Sequence, residues 1–562
     1  ITGLKVKLLD HQLDGVGFMN NREKAEADDS GRGGLLCDDM GLGKTIQTMA
    51  LILSNPLTGS SDGNISKSTL IIAPLALVGQ WADELSNKCD NLLVMTYHGS
   101  GRTSSLKFLQ SHDVVITTYS IIANEFKKNI NDSPLLNTYW YRVVLDEAHY
   151  IKNKNSQTAK GCFALNALNR WCLTGTPMQN SITELYSYFR FLQIRPFDSY
   201  AVFQREIISE FTSHQSNVAL SKLKLVLGCI MLRRTKDILK NGKVNLPLRT
   251  IHKTILEFSP GEFEVYSTLQ SKFGRLAIKS LQLGKSVIHA LVFLLRLRQA
   301  CDHFSLISDI IAEREISPAS ESLKSHCSNF IGDSHDVSDL EEMLTGLSMN
   351  VEKCSICMSV VTAKTQDLAL NGKIYCFECR NMLINQSMRE PDFESAKIKA
   401  ILKLIMLEKS RKTIVFSQFT GMLNIIAKHF RSHDISHSIY HGGLDNTKRI
   451  SILNKFKSDP SVNVLLCSLK CGAYGLNLTA ASRVILVDPW WNPMVTEQAI
   501  DRVHRIGQTR DVDVYELIIA NSVEAKISSL QEQKMQQAKA VLSGSGGNLN
   551  SINAEELQSL FG

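Results

Sequence analysis

Short, continuous apolar runs recur along the chain, each followed by a polar turn and then by a stretch with helical spacing. In the first 240 residues they fall at 69–73, 91–97, 113–117, 141–146 and 170–173; a second set falls at 413–416, 462–467, 483–487 and 514–518. Runs of this length without alternation read as strands buried on both faces, and strands that alternate with helices predict parallel sheets covered by helices. The helical pattern is clearest after Lys44, where Ile46, Met49, Ala50 and Leu53 recur at i, i+3, i+4 and i+7. Between the two sets the texture changes. Residues 309–347 are charged and serine-containing with weak periodicity, which predicts a surface connection. The pattern thus gives an α/β chain with two lobes, at 1–240 and 393–540, and an intervening region at 241–392.

Each lobe carries candidate chemistry at a strand end. Residues 34–47 read Gly-Leu-Leu-Cys-Asp-Asp-Met-Gly-Leu-Gly-Lys-Thr-Ile-Gln, an apolar segment, a glycine-containing loop and a helix start. Free backbone N–H groups and the helix dipole make such a junction an anion site. Asp38, Asp39, Met40, Gly41, Leu42, Gly43, Lys44 and Thr45 are therefore the candidate nucleotide loop. Lys44 supplies charge to the β- and γ-phosphates, and the Thr45 hydroxyl is a magnesium ligand. The usual first glycine of this pattern is Asp38 here, and Gly-Lys-Thr alone can open an ordinary helix. About a hundred residues on, a strand ends in Asp146 and Glu147. Carboxylates at the carboxyl end of a strand sit where open α/β sheets bind ligands. Asp146 is placed to hold Mg²⁺, and Glu147 to orient or deprotonate an attacking water. Upstream, Gln12 has the donor and acceptor needed to pair with an adenine edge. In the second lobe Gln498, Arg502 and Arg505 are spaced i, i+4 and i+7, which predicts one shared helix face. A guanidinium from there, reaching a γ-phosphate, would stabilise the transition-state charge.

Composition narrows the classes. The chain has 562 residues, 44% apolar and 21% charged, and a net charge of +7 that permits a nucleic-acid partner without requiring one. The longest apolar run, 287–295, contains His289 and is too short to span a bilayer, so no membrane partner is expected. The first residues lack the pattern of a secretory signal, and the start at Ile1 without methionine is read as that of a piece of a longer protein. Most of the thirteen cysteines stand singly among apolar residues, as suits a reducing compartment. Four do not. Cys354 and Cys357, then eighteen residues, then Cys376 and Cys379 form two C-x-x-C knuckles, which read as one tetrahedral zinc site.

With these residues in place the chain resembles the SWI/SNF family of helicase-like ATPases. The resemblance is carried by Asp39-Met40-Gly41-Leu42-Gly43-Lys44-Thr45, by Asp146-Glu147-Ala148-His149 with Tyr150 to Asn153, and by Leu173 to Asn180. Leu232-Arg233-Arg234-Thr235-Lys236, Asp488 to Pro493 and His504-Arg505-Ile506-Gly507-Gln508 add to it. It covers nearly the whole chain outside 309–347. The family normally has Glu at the position of Asp39, and the absent first glycine is usual for it. The resemblance implies two RecA-like parallel-sheet lobes, helical protrusions and a connection at 241–348, and a C-terminal brace at 541–562. It also implies ATP, Mg²⁺, double-stranded DNA and DNA-bound proteins or nucleosomes as ligands, a nuclear location, and translocation without strand separation. A zinc insertion at 349–392 is similar to the RING finger of one subgroup, but it is degenerate: no further C-x-x-C follows Cys379. That subgroup implies a second reading, ubiquitin ligation, with a ubiquitin-conjugating enzyme and SUMO-modified proteins as partners. An RNA helicase and a scaffold with a dead ATPase are further readings. Trp490-Trp491-Asn492 and the filled nucleotide motifs argue against them.

Overall fold

In the computed structural model the described residues are 1–25, 31–57, 65–99, 101–103, 105–128, 133–175, 177–178, 181–212, 216–241, 246–282, 288–309, 354, 369–370, 373–374, 392–473 and 476–532. They form two parallel sheets flanked by helices. The first contains β1 (Arg32–Leu36), β2 (Ser66–Ala73), β3 (Val94–Thr96), β4 (Val114–Thr118), β5 (Tyr139–Asp146), β6 (Asn166–Leu173) and β7 (Met231–Leu232), in the order β3-β4-β2-β5-β6-β1-β7. The second sheet takes β8 (Arg249–Leu256) and β11 (Thr413–Ser417), β12 (His437–Tyr440), β13 (Val464–Ser468), β14 (Arg483–Leu486) and β15 (Val512–Ile519), in the order β12-β13-β11-β14-β15-β8. A two-strand antiparallel pair, β9 (Ala369–Leu370) with β10 (Lys373–Ile374), lies between them in sequence.

Every expected strand is present within a few residues of its apolar run. Burial explains why the runs were legible: Leu70, Ile71, Ile72, Val143, Val144 and Leu145 are wholly inaccessible, so neither sheet face imposes a polar alternation. Strands β7, β8, β9, β10 and β12 lie outside the expectation. β8 falls in the stretch read as helical protrusions and connection, yet it pairs with β15 along its whole length, from Arg249↔Val512 to Leu256↔Ile519. As an edge strand it alternates between half-buried and exposed positions, so it lacks the apolar run of the central strands. The chain leaving lobe 1 is thereby fixed to the sheet of lobe 2.

Each lobe has a buried ion network. In lobe 1, Glu23 at the end of α1 (Asp10–Lys24) accepts from Arg142 Nε and Nη2, each at 2.6 Å, from Trp171 Nε1 at 2.9 Å and from Asn55 Nδ2 at 2.7 Å. In lobe 2, Lys397 donates to Asp302 at 2.7 Å, Glu524 at 2.6 Å and the Val487 carbonyl at 2.6 Å, with all three side chains inaccessible. Lys397 lies on α6 (Ala396–Leu407) and Asp302 ends α5 (Ile288–Asp302). α5 packs with α4 (Pro260–Gln282) around Tyr266, Phe273, Phe293 and Leu297. Cys354, the one expected zinc ligand among the described residues, is buried in this helical cluster. Cys357, Cys376, Cys379, the connection after 309, Thr176, residues 179–180 and the expected brace at 541–562 lie outside the described residues. No helix among the described residues is long and apolar enough to cross a membrane.

Candidate nucleotide site between the lobes

β1 runs between β6 and β7, and its carboxyl end opens into the loop 37–43 before α2 (Lys44–Ser54). Gly41 and Gly43 have φ of 90° and 91°, the left-handed region that a side chain resists. Space is tight as well. A Cβ at Gly43 would lie 2.5 Å from Gln12 Nε2, and one at Gly41 3.1 Å from Arg505 Cβ. Gln12 donates to the Leu42 carbonyl at 3.1 Å, and the His11 ring nitrogen makes a second contact to it at 3.0 Å. Lys44 Nζ donates to the Asp38 carbonyl at 2.6 Å, so its ammonium stays within the loop that it would share with phosphate.

The two aspartates of the loop face away from the cleft. Asp38 is inaccessible and takes Arg234 in a fork, Nε to Oδ1 at 2.9 Å and Nη2 to Oδ2 at 2.5 Å, and Gln47 Nε2 at 3.1 Å. Asp39 accepts the Lys236 amide at 3.1 Å. These carboxylates brace the loop against the end of lobe 1, so the substitution of Asp for the usual first glycine has a structural use. Met40 and Leu42 are buried; Met40 lines the cleft with Gly41, Gly43, Lys44 and Thr45.

Across the cleft floor stands the end of β5. Asp146 Oδ2 accepts Trp81 Nε1 at 2.7 Å, Oδ1 accepts the Glu147 amide at 3.0 Å, and its carbonyl accepts Tyr119 Oη at 2.7 Å. Burial, with the Glu147 charge beside it, pushes the Asp146 carboxyl up to about 6. Glu147 adopts a left-handed φ of 51°, a strained backbone of the kind that collects at functional sites. Burial raises its carboxyl, but the His149 ring at 3.4 Å and the charges of Arg502 and Lys44 outweigh this and hold it below the usual range.

Lobe 2 closes the site. Arg502 Nη2 lies 3.6 Å from Glu147 Oε1, and Arg505 packs over Gly41. Burial, then the neighbouring Arg502, pulls the Arg505 guanidinium down. The two arginines do come together, but not on one helix face. The helix α7 (Pro493–Ile500) ends before them and residues 501–507 form turns. Beyond α7 the Arg502 and Val503 amides bond only three residues back, to Ala499 O at 3.2 Å and Ile500 O at 2.9 Å, and the turns are held by the Leu478 amide on Arg502 O at 3.0 Å and Lys236 Nζ on His504 O at 2.7 Å. Gln498 stays on α7, 2% exposed, and is not among the residues lining the cleft.

Several cleft residues carry no motif signal. Leu77, Gln80 and Trp81 of α3 (Leu75–Lys88) line it. The only available cue is that α3 follows β2, the neighbour of β5, at the sheet's carboxyl edge. Lys236 was visible only as part of a signature. Its ammonium reaches Asp501 at 2.5 Å as well as His504 O, which ties the end of lobe 1 to the arginine-bearing turns.

An anion cradle with a lysine, a hydroxyl and two carboxylates in one lobe, and arginines from the other, fits a magnesium nucleoside triphosphate. Thr45 and Asp146 would hold the metal, which would neutralise phosphate charge.

Such a cradle at the strand ends of one parallel-sheet lobe, faced by arginines of a second, defines the class of two-lobed phosphate-loop proteins. The chain belongs to the SNF2-related family: the SNF2-related domain matches residues 11–306, over half its length, and the helicase conserved C-terminal domain matches 396–507. It is similar to an uncharacterised ATP-dependent helicase of Schizosaccharomyces pombe, 33% identical over all of this chain and 63% of that protein. DNA repair protein RAD5B of Arabidopsis thaliana is 34% identical over 94% of this chain and 47% of its own length. A putative SWI/SNF-related matrix-associated actin-dependent regulator of chromatin, subfamily A member 3-like 1, of the same plant is 30% identical over 94% of this chain and 71% of its own length. The chain thus spans about half to two-thirds of the length of the first two.

Proposed function

We propose that the protein is a DNA-dependent ATPase that moves along double-stranded DNA and remodels or displaces the proteins bound there, without separating the strands. The observation that carries this is the position of Arg502 and Arg505, brought from lobe 2 onto Glu147 and the phosphate loop of lobe 1. Lys44 and the loop amides bind the phosphates, Gln12 meets the adenine edge, and Glu147 orients the attacking water. The arginines stabilise the developing charge only when the lobes are together, so hydrolysis is linked to closure and closure to movement. Relatives named for DNA repair and for chromatin regulation support duplex DNA, nucleosomes or other DNA-bound proteins as partners, and a nuclear location.

ATP turnover measured without nucleic acid, with duplex DNA and with duplex RNA tests the reading. Duplex DNA should stimulate most, and stimulation should fall steeply with salt as counterions are displaced from phosphates. The protein should displace a triplex-forming strand and leave a blunt duplex intact; equal stimulation by RNA, or strand separation, would reject it. Cys354, Cys357, Cys376 and Cys379 supply four thiolates, a complete set for one structural zinc, and one equivalent of zinc in the purified protein is the expected result. Ubiquitin transfer, with a conjugating enzyme and SUMO-modified substrates, is the finer reading of that insertion. It predicts at most weak discharge of charged conjugating enzymes.

A further inference from the structure

One buried side chain at the site belongs to none of the motifs. Trp81 is 2% exposed and packs in the core between the sheet and its helices, among Leu77, Val144 and Leu173. Its polar edge leaves that core at a single point. The indole has one donor, and that donor meets Asp146 Oδ2 at 2.7 Å. A buried indole N–H needs a partner, but a backbone carbonyl would serve, as Leu135 O does for Trp140 at 2.9 Å. Here the partner is the carboxylate at the carboxyl end of β5.

The geometry leaves that carboxylate little freedom. Oδ1 is held by the Glu147 amide at 3.0 Å and Oδ2 by Trp81. A carboxylate offers about four lone-pair directions, so each oxygen keeps one for another partner. Rotation about the terminal torsion, which is otherwise broad for Asp, would break both bonds together. The tryptophan is itself fixed by the fold. β2 and β5 are neighbours with Ile72 opposite Leu145, and α3 starts at Leu75, two residues after β2 ends. The second turn of α3 therefore stands over the end of β5, with Leu77 and Trp81, four residues apart, on the same helix face.

We propose that Trp81 is a positioning residue for magnesium: its indole N–H sets the orientation of Asp146 and so the affinity of the site for the metal that accompanies the nucleotide. This rests on the nucleotide reading above and extends it to a residue that acts through Asp146 rather than as a metal ligand. Outer partners of metal-binding side chains typically change metal affinity 10–100-fold when removed.

The test separates the metal from the nucleotide. Binding of a fluorescent ADP to the whole protein is titrated first with chelator present and then against Mg²⁺. Trp81→Phe keeps the aromatic volume and removes the donor. It should bind metal-free ADP as the unaltered protein does but need about tenfold more Mg²⁺ to reach the tighter state. Trp140→Phe removes a buried indole bond elsewhere in lobe 1 and should leave the Mg²⁺ titration unmoved. An unchanged titration in Trp81→Phe, or the same shift in both variants, overturns the proposal. Absence of ADP binding in the unaltered protein would instead overturn the nucleotide reading. A measurement without substitution covers the case in which Trp81→Phe does not fold. Among the five tryptophans, the Trp81 indole N–H resonance should shift when Mg²⁺ is added to the ADP-bound protein while that of Trp140 stays. A stationary Trp81 resonance overturns the proposal.

Discussion

The two lobes put one architecture to different uses. In lobe 1 the strand ends face the cleft directly: β1 gives the loop with Lys44, and β5 gives Asp146 and Glu147. In lobe 2 the acid just past β14, Asp488, is turned inward. It accepts Ser417 Oγ at 2.7 Å and the Gln418 amide at 3.1 Å, and burial raises its carboxyl. What lobe 2 offers the cleft comes from the turns after α7. In the proposed reading lobe 1 supplies the phosphate and metal donors, and lobe 2 brings Arg502 and Arg505, with Asp501 beside them, to the cleft. Binding and hydrolysis are therefore separable: substitutions in lobe 1 should abolish or weaken binding, and those in lobe 2 should spare it.

Lys44→Ala is expected to have the largest effect. With no ammonium for the phosphates, ATP turnover should fall to background while duplex DNA binding, measured by fluorescence anisotropy, persists. Retained DNA-stimulated turnover would remove the loop from the account.

Next are the ion networks that hold each lobe together. Lys397→Met leaves Asp302 and Glu524 buried without their cation. Breaking a buried pair from one side typically destabilises by about 3–5 kcal/mol. Chemical denaturation should show this loss in a lobe 2 transition, and Arg142→Met, which strands Glu23, should show a similar loss in lobe 1. A single shared transition shifted equally by both would mean that the lobes are not independent units.

A smaller effect is expected at the seam. Lys236→Ala removes the contacts to Asp501 and His504 O while leaving the phosphate loop intact. Turnover should fall about tenfold, ~1.4 kcal/mol, with ATP affinity unchanged and partial recovery in Lys236→Arg. A change in affinity with kcat preserved would place Lys236 in binding instead.

How much of this was legible follows from the distance over which each feature is encoded. The central strands are contiguous apolar runs, and the phosphate loop and Asp146-Glu147 each lie within a few residues of chain, so local pattern suffices. The Trp81 contact spans 65 positions and the Lys236 contact 265; no local pattern encodes either. β8 was missed because an edge strand needs only half its positions apolar. The i, i+4, i+7 spacing of Gln498, Arg502 and Arg505 pointed to two arginines that the structure places at the cleft, but it suggested the wrong local structure. Helical spacing cannot register that the chain tightens into turns after Ile500, nor that Leu478 and Lys236, distant in sequence, hold those turns through Arg502 O and His504 O.

The central claim is that hydrolysis is completed by lobe 2. The most direct measurement is single-turnover hydrolysis of bound ATP by Arg505→Ala, alongside its ATP affinity. The account predicts affinity within several-fold of the unaltered protein and hydrolysis slower by ~10³ or more, the scale of arginines that stabilise phosphoryl transfer. Lost ATP binding with an unchanged rate per bound ATP would contradict it.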